Sequence, residues 1–189
     1  LVYKKTETDS KNKNACCAAQ MFLDSGDGMV FRGNVGPWWN KETGEFHLPQ
    51  QDAFQLISQS MEAFFDRFKF YPAEIFIHAK TYFNDKLKSK EWDCFEKATK
   101  VKTNIIGIRI RENNTFKIYR QFQYCVPRGT MLQYDENKAY LWTKGFIPRF
   151  QTQIGLETPN PLEIAITRGT ASIDTVCEDI LGLTKLNYN

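Results

Sequence analysis

The chain has 189 residues, 42% of them hydrophobic and 25% charged, with a formal net charge of +3. That is enough sequence to bury a core as one α/β domain or a large piece of one, in proportions ordinary for a soluble globular protein. No polybasic arm, membrane-spanning run or opening signal peptide is expected from it, although a small net charge can still hide a basic channel.

Residues 1–8 and 15–24 read as two strands around the polar connection Asp9-Ser10-Lys11-Asn12-Lys13-Asn14. Asp24-Ser25-Gly26-Asp27-Gly28 is a hairpin signal, and Met29-Val30-Phe31-Arg32 returns as a third strand. Asp24 and Asp27 belong to that turn rather than to a calcium loop, since no glutamate follows at the required spacing. Gly33 to Leu48 forms a loop holding Trp38 and Trp39 beside a Gly-Pro turn, where packing or a partner interface is the better reading than base stacking. Pro49 opens a helix in which Phe54, Ile57, Met61, Phe64, Phe65 and Phe68 recur at helical spacing, a stripe expected to face a sheet. Tyr71-Pro72 ends it.

Glu74 to His78 is a short apolar run suited to a strand covered on both faces. Glu91 to Ala98 reads as a short helix, Asn104 to Ile110 as a buried strand and Thr115 to Arg120 as a half-buried one. Arg109 and Arg111 alternate with Ile108 and Ile110, as on an ordinary half-exposed strand. Arg128-Gly129-Thr130 opens a turn, and strands follow at Ala139 to Thr143 and Leu162 to Thr167. Ser172 is placed to cap a last helix with the stripe Ile173, Val176, Cys177, Ile180 and Leu181. Hairpin-linked strands followed by alternating strands and helices give an α/β fold, a mixed sheet flanked by helices.

The five cysteines (Cys16, Cys17, Cys94, Cys125, Cys177) are odd in number and form no CxxC pair, and only His47 and His78 could assist them. Neither a disulfide framework nor a zinc site is expected, only free thiols in a reducing cytoplasm. Asp85, Glu91 and Asp93 read as solvated surface charge. No Gly-x-Ser-x-Gly elbow, nucleophilic cysteine motif or Gly-rich phosphate loop is present.

Three segments in register carry a resemblance. Glu74-Ile75-Phe76-Ile77-His78-Ala79-Lys80-Thr81-Tyr82-Phe83 resembles the strand and loop where nucleases of the Argonaute family carry Arg-Asp-Gly. Pro159-Asn160-Pro161-Leu162-Glu163-Ile164 is similar to that family's Thr-Pro-x-Pro-Leu segment, and Leu183-Thr184-Lys185-Leu186-Asn187-Tyr188-Asn189 to its Leu-Thr-x-Leu-Asn-Trp-Asn. Order and spacing agree over roughly residues 70–189. The resemblance is to the PIWI domain of prokaryotic Argonautes, and it implies an RNase H-like fold over residues 1–189, cut at both ends from a longer MID-PIWI protein of the short type.

Slicing in that family needs carboxylates that hold two divalent cations. Leu1 to Thr6 offers none, the Arg-Asp-Gly carboxylate falls on Lys80 with Ala79 at the arginine, and the last catalytic position would lie beyond Asn189. The expectation is therefore a domain with no catalytic residues and no metal held by catalytic carboxylates; a Mg²⁺ at the guide 5′-phosphate would lie outside this chain. What remains is holding a guide RNA or DNA paired to its target. By resemblance, Thr184, Lys185 and Asn187 contact the guide backbone, Lys80 touches target phosphates with His78 beside it, and Arg168 and Lys144 add strand-end cations. The implied partner is a cytoplasmic effector protein bearing an APAZ region and a TIR, SIR2 or nuclease domain, with a higher oligomer on activation in defence against invading DNA. The competing readings are an active metal-dependent RNase H-like endonuclease and a scaffold with no nucleic-acid role.

Overall fold

The structure, a computed structural model, describes residues 2–5, 15–22, 28–36, 47–83, 91–99, 102–121, 123–152 and 157–185. Asp24 to Asp27 of the predicted turn, Trp38, Trp39, Asp85 and Asn187 lie outside them. Contacts divide the chain into two compact units, Leu1–Gly107 and Ile108–Asn189.

In the first unit, β1 (Val2–Lys5), β2 (Ala15–Phe22) and β3 (Gly28–Gly36) form an antiparallel sheet in that order. A register shift between Cys16 and Ala18 marks a bulge in β2. Helix α1 (Gln50–Phe68) starts on Pro49, whose carbonyl accepts the Ala53 N–H at 2.9 Å. Proline suits this place because its missing N–H would have had no partner there. The helix ends on Lys69 in the left-handed region (φ 63°), with its N–H on the Phe65 carbonyl.

The buried stripe of α1 differs from the aromatic one. Ala53, Leu56, Ile57 and Met61 face inward, whereas Phe54 and Phe65 are exposed. Phe64, Phe68 and Phe70 cluster together instead, and Phe65 stacks on Tyr71. Rotating the apolar face toward small and aliphatic side chains lets α1 approach α2 (Glu91–Ala98) closely. Their common core takes in Ile77, Phe83, Trp92 and Phe95, with Phe31 of β3 packed against it.

Strand β4 (Glu74–Ala79) sends Ile75, Ile77 and Ala79 into that core, which leaves His78 on the opposite strand face. Glu91 is not solvated as the sequence suggested. It is buried, accepts the Leu48 N–H at 3.3 Å and faces His47 Nδ1 at 3.3 Å.

A five-stranded mixed sheet has the order β4-β5-β8-β7-β6, with β5 (Asn104–Glu112) carrying the boundary between the units. In the second unit, β6 (Met131–Asp135), β7 (Lys138–Leu141) and β8 (Leu162–Arg168) pair antiparallel in sequence order. β6 was not foreseen, and Thr115–Arg120, read as a strand, is irregular. Phe116 of that segment lies 5.0 Å from the Tyr140 ring and 5.9 Å from Trp142, so its half-burial comes from capping β7 rather than from pairing.

Helix α3 (Ile173–Lys185) packs on β7 and β8 through Ile173, Val176, Cys177 and Ile180, the expected stripe. The Ser172 carbonyl takes its first helical bond, from the Val176 N–H. Cys94 and Cys177 are buried free thiols and Cys125 a partly buried one. Burial, aided by the charge of Asp174, pushes the Cys177 thiol up to about 11.

Candidate nucleic-acid interface

The ends of β6, β7 and β8 determine which cations meet. Leu141 pairs with both Met131 and Leu162, so the C-terminal end of β7 lies beside the starts of β6 and β8. α3 follows β8 after a turn at Gly169 (φ 71°) and runs back over the sheet for about 20 Å, at 1.5 Å per residue. Its last turn, with Thr184 and Lys185, therefore returns to the end of the sheet from which Lys144 emerges. Arg168 sits at the opposite end, donating to the neighbouring Thr167 carbonyl at 3.1 Å.

Three segments are tied together at this corner. The Phe146 N–H donates to the Val126 carbonyl at 3.0 Å, and the Arg128 N–H to the Phe146 carbonyl at 2.9 Å. The Gly129 N–H donates to the Trp142 carbonyl at 2.8 Å. Gly145, at φ 141°, allows this approach: a Cβ there would stand 2.2 Å from the Val126 carbonyl oxygen. Gly129, at φ 89°, brings the turn against α3, where a Cβ would meet Leu181 Cδ2 at 3.1 Å. Arg128 then closes the frame by donating from Nη2 to Thr184 Oγ1 at 3.1 Å, while that hydroxyl donates to the Leu181 carbonyl at 2.7 Å.

Segments 120–130, 142–152 and 181–185 contain Arg120, Arg128, Lys144, Arg149 and Lys185, and no Asp or Glu. Lys144, Arg149 and Lys185 are exposed, and Arg120 reaches from the surface to the Cys125 carbonyl at 3.2 Å. A concentration of cations on fixed backbone, in segments that carry no carboxylate of their own, is suited to a polyanion.

Of the residues singled out from sequence, Thr184, Lys185 and Lys144 share this frame, while Arg168 does not join it. His78 and Lys80 belong to the first unit: Lys80 is exposed just past β4 and His78 is partly buried. Burial lowers the His78 imidazole from 6.5 to about 4, so it is neutral at pH 7 and supplies no charge to a phosphate. Arg128, Arg149 and Arg120 were missed.

The second unit also holds a buried ionic cluster. Glu163 of β8 accepts from Arg109 Nη2 at 2.6 Å and from Arg111 Nε at 3.1 Å, with Asn113 Nδ2 at 3.3 Å and Lys138 Nζ at 3.5 Å. Arg109 is 6% exposed and Glu163 2%, so this part of β5 is not the half-exposed strand the alternation suggested. Burial alone would raise the Glu163 carboxyl. The Arg111 hydrogen bond and the Lys138 and Arg111 charges outweigh it and hold the carboxyl below its ordinary value. The cluster binds three strands to one another.

Among the described residues, no group of three or more His, Cys, Asp or Glu side chains gathers as a metal site would require, and no helix is long and apolar enough to cross a membrane.

No protein-family model matches the chain, and no curated protein sequence does. Solved structures do. Clostridium butyricum Argonaute, bound to a guide DNA and a 19-mer target DNA, matches over 95% of this chain and 22% of its own, with a TM-score of 0.65 and 15% identity. Marinitoga piezophila Argonaute with a 5′-OH guide RNA and target DNA matches over 96% of this chain and 25% of its own, with a TM-score of 0.63 and 16% identity. The same protein with guide RNA alone gives a TM-score of 0.60 at 14% identity, over 98% of this chain and 25% of its own. The chain spans about a quarter of the length of these proteins, and over nearly all of its own residues it shares the fold of the matched part of these Argonautes.

Proposed function

We propose that this chain is the PIWI domain of a nuclease-inactive prokaryotic Argonaute, which holds a guide strand paired to its target without cutting it. The observation that carries the binding half is the tying together of three segments that hold Lys144, Lys185, Arg128, Arg149 and Arg120 and no Asp or Glu of their own, braced by the Arg128–Thr184 hydrogen bond. A duplex held in this way is recognised by its backbone, and sequence is left to base pairing. The Argonautes of like fold contain guide and target strands in their structures, which supports the same ligands here.

The inactive half rests on the donors. A two-cation site needs convergent carboxylates, whereas β1 reads Val-Tyr-Lys-Lys and β4 is followed by Lys80. An ammonium at that place repels a divalent cation and cannot ligate it. This donor set does not fit the metals. Output then falls to an associated APAZ-bearing effector of TIR, SIR2 or nuclease type, engaged in the cytoplasm once a target is paired and driven to a higher oligomer in prokaryotic defence.

The test is the salt dependence of guide–target binding by the full-length protein. Lys144→Ala and Lys185→Ala should each weaken binding irrespective of sequence and flatten the slope of log K against log salt by about 1. Slopes equal to wild type in both variants would remove this corner from the interface.

A further inference from the structure

We infer that the 3₁₀ turn Pro148–Phe150 is a base-stacking element, in which the Phe150 ring takes the face of an unpaired nucleobase at the margin of the basic corner. The inference rests on the nucleic-acid reading of that corner and adds a second kind of contact to it.

Phe150 is 66% exposed, yet its backbone is held. The Ile147 N–H donates to the Thr152 carbonyl at 2.8 Å, the Phe150 N–H to the Ile147 carbonyl at 3.1 Å and the Gln151 N–H to the Pro148 carbonyl at 3.2 Å. Gln151 closes the turn in the left-handed region, at φ 48°. Just upstream, Phe146 is anchored by its bond to Val126 and by stacking on Tyr124, with the rings 4.2 Å apart and 10° from parallel. The ring is therefore displayed on a fixed platform directly after the strand bridge that carries Lys144.

Its surroundings select the ligand. Arg149 places its guanidinium 5.7 Å from the Phe150 centroid. The other neighbours on the turn are Pro148 and Gln151, and segment 142–152 holds no carboxylate. A protein-docking patch has an apolar centre depleted in charge. An exposed aromatic ring with a guanidinium beside it, in a segment rich in cations and free of carboxylates, matches a single-strand site, where a base stacks on the ring and the neighbouring phosphates meet Lys or Arg. Bases within a duplex already stack on each other, so the partner is an unpaired nucleotide at a duplex end or in a strand leaving the corner.

The experiment uses the full-length protein and a labelled guide–target duplex in which one nucleotide after another is left unpaired and replaced by 2-aminopurine. Wild type should quench fluorescence at one position. Phe150→Ala should abolish that quenching and weaken binding about 5- to 150-fold, with an unchanged salt slope because a ring displaces no counterions. Phe150→Trp should keep both signals. Unaltered quenching and affinity in Phe150→Ala would overturn the inference, as would an equal loss in Phe150→Trp, since any aromatic face should serve. If Phe150→Ala is silent while Lys144→Ala and Lys185→Ala flatten the slope, stacking fails and the corner stands. If wild type shows no salt-dependent binding, the corner reading itself fails and the stacking site goes with it.

Discussion

Glu163 shows how far a single residue can be from what its sequence context announces. In the chain it is one acidic residue in an apolar run, and Arg109 and Arg111 look like the outer face of a strand. Folded, all three meet, because β5 and β8 are neighbours in the sheet, a long-range fact that local alternation cannot carry. Removing the carboxylate takes from buried Arg109 its 2.6 Å ion pair, so Glu163→Ala should cost about 3–5 kcal/mol in urea unfolding. A cost below about 1 kcal/mol would contradict that.

The sign with pH follows from the lowered Glu163 carboxyl. Its contribution is present above the ordinary value of 4.5 and is lost as pH falls through the lower folded value. His78 acts in an adjoining window. Its folded value of about 4 lies below 6.5, so the unfolded chain takes up the proton first and stability falls as pH drops from 6.5 toward 4. An NMR titration should place the imidazole near 4 and show it neutral at pH 7; a midpoint near 6.5 would mean that it is solvated.

Among the elements, α1, β4, α2, β5, β8 and α3 were legible because periodicity and punctuation agree there. Pro49 and Tyr71-Pro72 bracket α1, and Ser172 precedes α3. The aromatic stripe of α1 misled because large apolar residues occur on two faces of that helix, and tertiary packing chose the face bearing Ala53. β6 escaped because Leu132, Gln133, Tyr134 and Asp135 are exposed on an edge strand, so no buried alternation marks it. The corner where β7 ends was visible only as a turn. Its geometry depends on Gly145, and Gly145→Ala should cost at least the roughly 1–3 kcal/mol of backbone strain, with the clash against Val126 added. Chemical denaturation checks this, and wild-type stability in that variant would show that the strand bridge can relax.

For the whole molecule, the net charge of +3 was a poor guide and its distribution a good one. No acid occurs between Glu112 and Asp135, or between Glu136 and Glu157, and the fold brings parts of those two stretches together with the acid-free end of α3. That linear pattern marks both stretches as cation-bearing, with Arg128 and Arg149 among Lys117, Arg120, Lys138 and Lys144. Arg168 was selected by its strand-end position, and only the antiparallel path of β7 and β8 shows that it leaves the sheet at the other end. Hairpin-linked strands followed by alternating strands and helices pointed to the α/β class, and the three motif segments pointed to the Argonaute fold. The converging frame of Lys144, Arg128 and Thr184 required the three-dimensional path.

The central claim, that paired target is held and not cut, is met most directly by incubating the full-length protein with guide and matched target in Mg²⁺ or Mn²⁺ while following retention and cleavage together. The account predicts target retained and intact, with retention falling in Lys144→Ala and Lys185→Ala. Guide-dependent cutting at one defined phosphate, abolished by mutating carboxylates within this chain, would contradict it.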